Sequence, residues 1–461
     1  MEDIQAEVLK RVKPTKSDIR RVNRVASRLI LKTEQAAAKL KVKARAMLVG
    51  SVARGTWLSS ERDIDIFILF PEGLTRAELE RQGLAVARRV AGPKGTERFA
   101  EHPYVTTKFQ GFEVDLVPCY DVSDLKMIKS AVDRTPHHQL YVKDRLIAEL
   151  ADQVLLLKQF AYGTGVYGAE LKTQGFSGYL CELLILHYGS FAKLVEAAAK
   201  WTAGTIIDIE RAYGDETEPK VLFQWQPLIV IDPVDPNRNV AAAVSMQSFA
   251  TFIYACQDFL KRPDLNFFFP NGAQPLDAGG INDILKRRGT ALFCITFRPP
   301  DLVPDILYPQ LRKTERTIVE RLTQYGFEVL RSDIWANSSA AILIELTSSK
   351  LPGVRTRVGP PLKMEAENFI REHVRSEARL AGPFVDAAGR IVFELKRRQT
   401  QAKDVLRSIL NDRVAFGKHV AEAIAKEYEI IEGKKLKKLL RDKKFKTFLS
   451  EYLTRRLPWY Q

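Results

Sequence analysis

The stretch that most constrains this chain is Asp63-Ile64-Asp65-Ile66-Phe67-Ile68-Leu69-Phe70. Side chains alternate between the two faces of a strand, so Asp63 and Asp65 share one face while Ile64, Ile66, Ile68 and Phe70 share the other. Beyond Asp65 the run is apolar on both faces, the pattern of a strand inside a sheet rather than a solvated edge carrying scattered acids. Two carboxylates at the mouth of such a strand repel each other unless something positive lies between them, and a divalent cation is the usual solution.

Two further motifs bear on the same chemistry. In Phe112-Glu113-Val114-Asp115-Leu116-Val117 the alternation sets Glu113 and Asp115 opposite Phe112, Val114 and Leu116. If this strand lies beside the first, Asp115 joins Asp63 and Asp65. Three carboxylates can hold two metal ions about 4 Å apart, an arrangement that activates an attacking hydroxyl and steadies a leaving pyrophosphate. Glu113 stays an outside candidate. Upstream, Gly50-Ser51-Val52-Ala53-Arg54-Gly55-Thr56 ends a strand in a Gly-Ser turn that opens a short helix. Backbone N–H groups and the Ser51 hydroxyl then aim at one point, where a phosphate is favoured by hydrogen bonds and the helix dipole, and Arg54 supplies a charge-assisted contact. Such turns are common, and alone this one carries little; the combination is far more specific than its parts.

The chain has 461 residues, 46% hydrophobic and 28% charged, which predicts a folded protein of two to four domains. Residues 1–45 read as one or two basic amphipathic helices bracing the first domain, with Thr15 or Ser17 as a cap. Strands are expected at 46–49, 64–70, 104–109 and 112–117, the last two joined by a Gln110-Gly111 hairpin turn, and a helix at 76–90 closed by Gly92-Pro93. From Pro136 to about Leu260 the pattern is mainly helical, with long apolar periodicity over 146–162 and 179–195, a helix opened by Thr135-Pro136, and a helical run over 239–245. Phe267-Phe268-Phe269-Pro270-Asn271-Gly272 marks a boundary. Beyond it, strand-like runs at 290–297, 340–346 and 391–395 alternate with charged helices.

The N-terminus has no apolar core segment and no stretch reaches the roughly 18 apolar residues of a membrane span, so a cytoplasmic protein without membrane contact is expected. Cys119, Cys181, Cys256 and Cys294 are widely spaced and read as reduced, structural thiols. Oligomeric state is not legible, and a homodimer stays open. The net charge of +15 points to a polyanionic partner. Residues 431–461 hold ten Lys/Arg against three Asp/Glu, so +7 of that charge lies there. Lys434, Lys435, Lys437, Lys438, Arg441, Lys443, Lys444 and Lys446 surround Leu436, Leu439, Leu440 and Phe445, which predicts an amphipathic basic helix on a phosphate backbone. Trp459 and Tyr460 either stack on bases or, the stronger expectation, anchor the end against the body.

Taken together, these motifs resemble the polymerase-beta-type nucleotidyltransferase superfamily. The run GSVARGTWLSSERDIDIFILFP resembles, nearly residue by residue, the archaeal-type (class I) CCA-adding tRNA nucleotidyltransferases. The likeness extends to Thr135-Pro136-His137-His138, Lys158, Gly165–Glu170, Gly175–Tyr179 and Asp232–Val240, and more weakly to Tyr308–Lys313 and Arg357–Pro361. It implies that Ser51 and Arg54 bind CTP or ATP and that Asp63, Asp65 and Asp115 are catalytic and hold two Mg²⁺. Further nucleotide contacts are implied for His138, Lys158 and Tyr167, and base selection for Arg238.

Without the likeness, Lys158 in its apolar helix would either snorkel outward or meet a triphosphate, Tyr167 would either stack on a base or sugar or be packing, and Arg238 would be a solvated turn residue. The expected fold is α+β and multidomain: an N-terminal mixed-sheet nucleotidyltransferase domain (1–135), a central helical domain (136–262) and a C-terminal mixed α/β RNA-binding region (263–461). The expected partner is tRNA. A poly(A) polymerase, an oligoadenylate synthetase or an inactive tRNA-binding relative remain alternatives.

Overall fold

The structure is a computed structural model that describes residues 1–99, 103–125, 128–272, 274–361 and 364–460, without the Lys434 side chain. Two compact units divide the chain, one of Met1–Gly272 with Leu457–Gln461 and one of Ala273–Arg456.

In the first unit, α1 (Glu2–Val12) and α2 (Lys16–Lys39) precede β1 (Arg45–Val49), α3 (Gly50–Arg54), β2 (Asp63–Phe70), α4 (Arg76–Ala91), β3 (Thr96–Phe99), β4 (Pro103–Phe109) and β5 (Phe112–Tyr120). Thr15 and Thr75 each form a capping box, at the starts of α2 and α4. The strands form one mixed sheet in the order β1-β2-β5-β4-β3, with β2 and β5 parallel and the other neighbours antiparallel. Gln110 and Gly111, with φ of 53° and 88°, make the expected hairpin turn. Ile64, Ile66, Ile68 and Phe70 pack with Val22, Val25 and Leu29 of α2 and Leu79, Val86 and Val90 of α4. On the opposite face Phe67 and Leu69 pack with Val49 and Cys119, so beyond Asp65 the strand is buried on both sides, as its composition requires.

A helical layer follows: α5 (Thr135–Arg145), α6 (Ala148–Gly163), α7 (Gly178–Tyr188), α8 (Phe191–Ala198), β6 (Thr205–Ile207), α9 (Thr217–Leu222), β7 (Leu228–Val230) and α10 (Met246–Lys261). The apolar run 179–195 is two helices, because Gly189 ends α7 at φ 77° and the Ser190 side chain caps α8. Thr135 lies inside α5 rather than capping it. Residues 239–245 are turn, not helix: the Asn239 carboxamide oxygen accepts from the backbone of Val230 and Ala241, a competing geometry that short polar side chains favour.

The core of this layer is aromatic, with Phe160 5.4 Å from Phe191, 5.5 Å from Phe259 and 5.5 Å from Phe268. Val8 and Val12 of α1 join this cluster and not the sheet's, so only α2 braces the first domain as expected. The chain end returns here. Trp459 stacks on Phe267 at 5.5 Å and its indole donates to Asp258, which also accepts from the Tyr460 hydroxyl. Both side chains anchor this end of the chain, Trp459 buried and Tyr460 through its hydroxyl.

The second unit contains α11 (Ala278–Arg288), β8 (Ala291–Phe297), α12 (Pro304–Tyr325), β9 (Val329–Ala336), β10 (Ala340–Leu346), β11 (Val354–Val358), α13 (Glu367–Val374), β12 (Arg379–Val385), β13 (Ile391–Lys396), α14 (Ala402–Asp412), α15 (Lys418–Lys426), β14 (Glu429–Glu432) and α16 (Lys443–Thr454). The order β14-β8-β10-β9 makes one antiparallel sheet and β11-β13-β12 another. The basic stretch is not one helix. A 3₁₀ segment (Gly433–Arg441) stops at Asp442, whose carboxylate caps α16. Leu436 and Phe445 face the core while Lys435, Lys437, Lys438, Arg441, Lys443 and Lys444 lie at the surface; the Lys434 side chain lies outside the described residues. Among the described residues no helix is long and apolar enough to cross a membrane, and the four cysteines are free and buried.

Candidate active site

The site sits where β1, β2 and β5 meet. The antiparallel register of β1 on β2 sets Val49 opposite Asp65, so the turn that follows Val49 passes over that carboxylate. Gly50 adopts φ +79°, and a Cβ there would collide with Asp65 Oδ2. The position therefore needs glycine twice, for backbone conformation and for close approach. The parallel register of β2 on β5 pairs Asp65 with Asp115 and Asp63 with Glu113. Parallel partners point to the same face about 4.8 Å apart, so the three aspartates lie together and Glu113 lies beside them.

Asp115 Oδ1 accepts from Thr106 Oγ1 at 2.7 Å, a neighbour on β4 that sequence reasoning did not single out. Burial, with Asp115 and Asp63 adding to it, pushes the Asp65 carboxyl up to about 7, against the pull of Arg54. Asp63 and Asp115 are also raised, by burial first and by neighbouring carboxylates, Thr106 opposing the rise at Asp115. A cation beside these buried acids would favour their ionised forms. Among the described residues no group of three or more His, Cys, Asp or Glu side chains is gathered closely enough to hold a metal ion as it stands. An open row of hard oxygen donors fits an ion that keeps waters and takes the rest of its shell from phosphates.

The Ser51 backbone carbonyl accepts from Thr56 at 3.0 Å and closes the turn. Arg54 is held by protein partners beside the turn. Its side chain is 8% exposed and pairs at 2.9 Å with Glu182, which is 0% exposed, while Nη1 donates to Gln139. The Thr56 hydroxyl also donates to Glu182, at 2.5 Å. Lys158 neither snorkels nor stands free: it is buried, and its ammonium donates to the Thr56 carbonyl at 2.7 Å. Tyr167 donates to Glu61 at 3.2 Å, and burial together with that carboxylate raises its hydroxyl pKa. His138 is buried with Nε2 2.9 Å from Asp232, and burial lowers its pKa despite that partner. Arg238 donates to the same carboxylate at 2.6 Å.

Sequence reasoning thus named Arg54, Tyr167, His138 and Arg238 and did not single out the carboxylates that hold them, Glu182, Glu61 and Asp232. One signal was available: Glu182 is the lone acid in the apolar run Gly178–Tyr188.

A mixed sheet with aspartates on adjacent parallel strands below a glycine turn defines a nucleotidyltransferase. The family model "Nucleotidyltransferase domain" matches residues 30–138, "tRNA nucleotidyltransferase, second domain" matches 152–269, and "CCA-adding enzyme, C-terminal domain" matches 288–433. The chain is 42% identical to the CCA-adding enzyme of Methanosarcina acetivorans over 98% of both chains. It is 42% identical to that of Halobacterium salinarum over 92% of this chain and 93% of that one, and 40% identical to that of Methanothermobacter thermautotrophicus over 92% of each. The chain belongs to the CCA-adding enzyme family.

Proposed function

We propose that the chain adds C, C and A in turn to the 3′ end of tRNA without a nucleic-acid template, drawing on CTP and ATP. The register that pairs Asp65 with Asp115 beside Asp63 carries the reading, since it gathers the acids such a transfer needs. The terminal hydroxyl attacks the α-phosphate, the bond to the β-phosphate breaks and pyrophosphate leaves. Asp63, Asp65 and Asp115 would hold two Mg²⁺, whose charge offsets that of the triphosphate and of the hydroxyl as it loses its proton. The turn at Gly50-Ser51 presents N–H groups and a hydroxyl to phosphate. Lys158 and the Arg54–Glu182 pair hold that turn, so their contribution to the nucleotide runs through its shape and the local positive charge. Tyr167, His138 and Arg238 form the nucleoside side of the site.

In this reading residues 1–135 are the catalytic head, 136–262 the neck, and 263–461 the body and tail that bind tRNA through the basic residues of 434–444. Four reduced thiols suit the cytoplasm. The test uses tRNA transcripts ending before CCA, after C and after CC, each with CTP or ATP alone and Mg²⁺. C on the first two and A on the third are expected. Long A tails on generic RNA would overturn the reading in favour of a poly(A) polymerase.

A further inference from the structure

Asp232 joins two of the side chains placed on the nucleoside side of the site, His138 and Arg238. It follows β7 and is 0% exposed. Its Oδ2 accepts from Arg238 Nη1 at 2.6 Å and lies 2.9 Å from His138 Nε2; its Oδ1 accepts from the Val234 backbone at 3.0 Å and the Tyr179 hydroxyl at 3.4 Å. The Tyr179 ring stacks on His138 at 4.3 Å. The loop closes on itself, since Asp232 N donates to the Arg238 carbonyl at 3.0 Å and Arg238 N to the Asp235 carbonyl at 2.9 Å.

A carboxylate this deep stays ionised only if its partners outweigh burial. Here His138 and Arg238 do, and its pKa is held below the usual range. The consequence for Arg238 is orientation. Its side chain is 39% exposed, and a guanidinium with that freedom samples many rotamers unless one end is fixed. With Nη1 on Asp232, the remaining donors stay beside a cavity of about 610 Å³ that Arg134, Gln226 and Asn239 also line. The consequence for His138 is its tautomer. An acceptor at Nε2 keeps the proton there and leaves Nδ1 as a bare acceptor.

We propose that Asp232 is a positioning residue for base discrimination, fixing the Arg238 guanidinium in one orientation and His138 in the Nε2–H tautomer so that incoming bases meet a preset pattern of donors and acceptors. This rests on the nucleotidyl-transfer reading above. Discrimination by hydrogen bonding is steep only when the pattern is fixed before the ligand arrives.

The test is Asp232→Asn, which keeps the shape and removes the charge. On transcripts ending in CC, the preference for ATP over CTP in kcat/KM falls roughly tenfold to a hundredfold, the range for loss of a charge-assisted hydrogen bond. Arg238→Ala gives a similar fall, and the double variant is no worse than the worse single. Equal losses for both nucleotides with discrimination intact, or additive effects, overturn the proposal. A second measurement needs no variant at position 232. ¹⁵N spectra of the histidine-labelled protein, with the His138 signals assigned by their loss in His138→Gln, show a neutral Nε2–H ring at pH 7, and an Nδ1–H or doubly protonated ring overturns the proposal even if Asp232→Asn does not fold. Absence of C and A addition by the unmutated protein would instead refute the reading of the reaction, leaving the tautomer to judge Asp232.

Discussion

Asp65 and Asp115 are register partners on parallel strands, and the charge of Asp115 helps keep the proton on Asp65. Replacing Asp63 or Asp115 by Ala is expected to abolish nucleotide incorporation, by at least about 10³-fold if the metal site is lost, while tRNA binding measured by filter retention changes less than about twofold. Activity surviving in either variant would defeat the assignment of the acids.

Burial of Asp65, with this pairing adding to it, makes stability depend on pH in a direction opposite to that of most acids. Asp65 titrates at about 7 in the folded protein against 3.8 in the unfolded chain, so between these values the folded state binds more protons and stability falls as pH rises. In EDTA, Asp65→Asn is therefore expected to stabilise the protein at pH 8 by on the order of 2–4 kcal/mol and to do little at pH 4. Mg²⁺ should raise the Tm of the unmutated protein more at pH 8 than at pH 6. Calorimetry across that range checks both.

Gly50→Ala should leave the protein folded and inactive. The positive φ costs about 1–2 kcal/mol with a Cβ present, which is bearable, but the new methyl displaces Asp65 from the site. Activity near the unmutated level would show that the carboxylate is not needed where it stands.

Glu182→Ala strands Arg54 with no counter-charge in a buried position, and a loss of about 3–5 kcal/mol is expected in urea unfolding. The pair Arg54→Met with Glu182→Leu should recover much of it without recovering activity. Full stability in the single variant would mean that the ion pair holds nothing.

Changing Lys435, Lys437, Lys438, Lys443 and Lys444 together to Ala should weaken tRNA binding and flatten its dependence on salt, by roughly 0.7–0.9 in the log–log slope for each phosphate no longer neutralised. An unchanged slope would make this a solvated surface.

Four strands of the first unit, β1, β2, β4 and β5, were legible because parity at Asp63–Phe70 and Phe112–Tyr120, with Gln110-Gly111 between β4 and β5, is local information, whereas the short β3, β6 and β7 were not expected. What joins β2 to β5 is not local, and nothing within either strand dictates their parallel register. Arg54 shows the same limit more sharply. Its partner lies 128 residues away, so the sequence displayed an arginine beside a phosphate turn and concealed the buried acid it answers to. In the second unit, β11 is exposed along its whole length and alternates charge with Thr and Val, which removes the hydrophobic signal that marked β8 and β10. The break at Asp442 was hidden because 3₁₀ and α segments both repeat apolar residues every three to four positions.

The docking of Trp459 on Phe267 and Asp258 returns the chain to the first unit after the second, so the first unit is built from residues on both sides of the second. A protease that cuts once near Gly272 would give two fragments that still co-purify, because the last residues of the downstream piece remain lodged in the aromatic core of the upstream one.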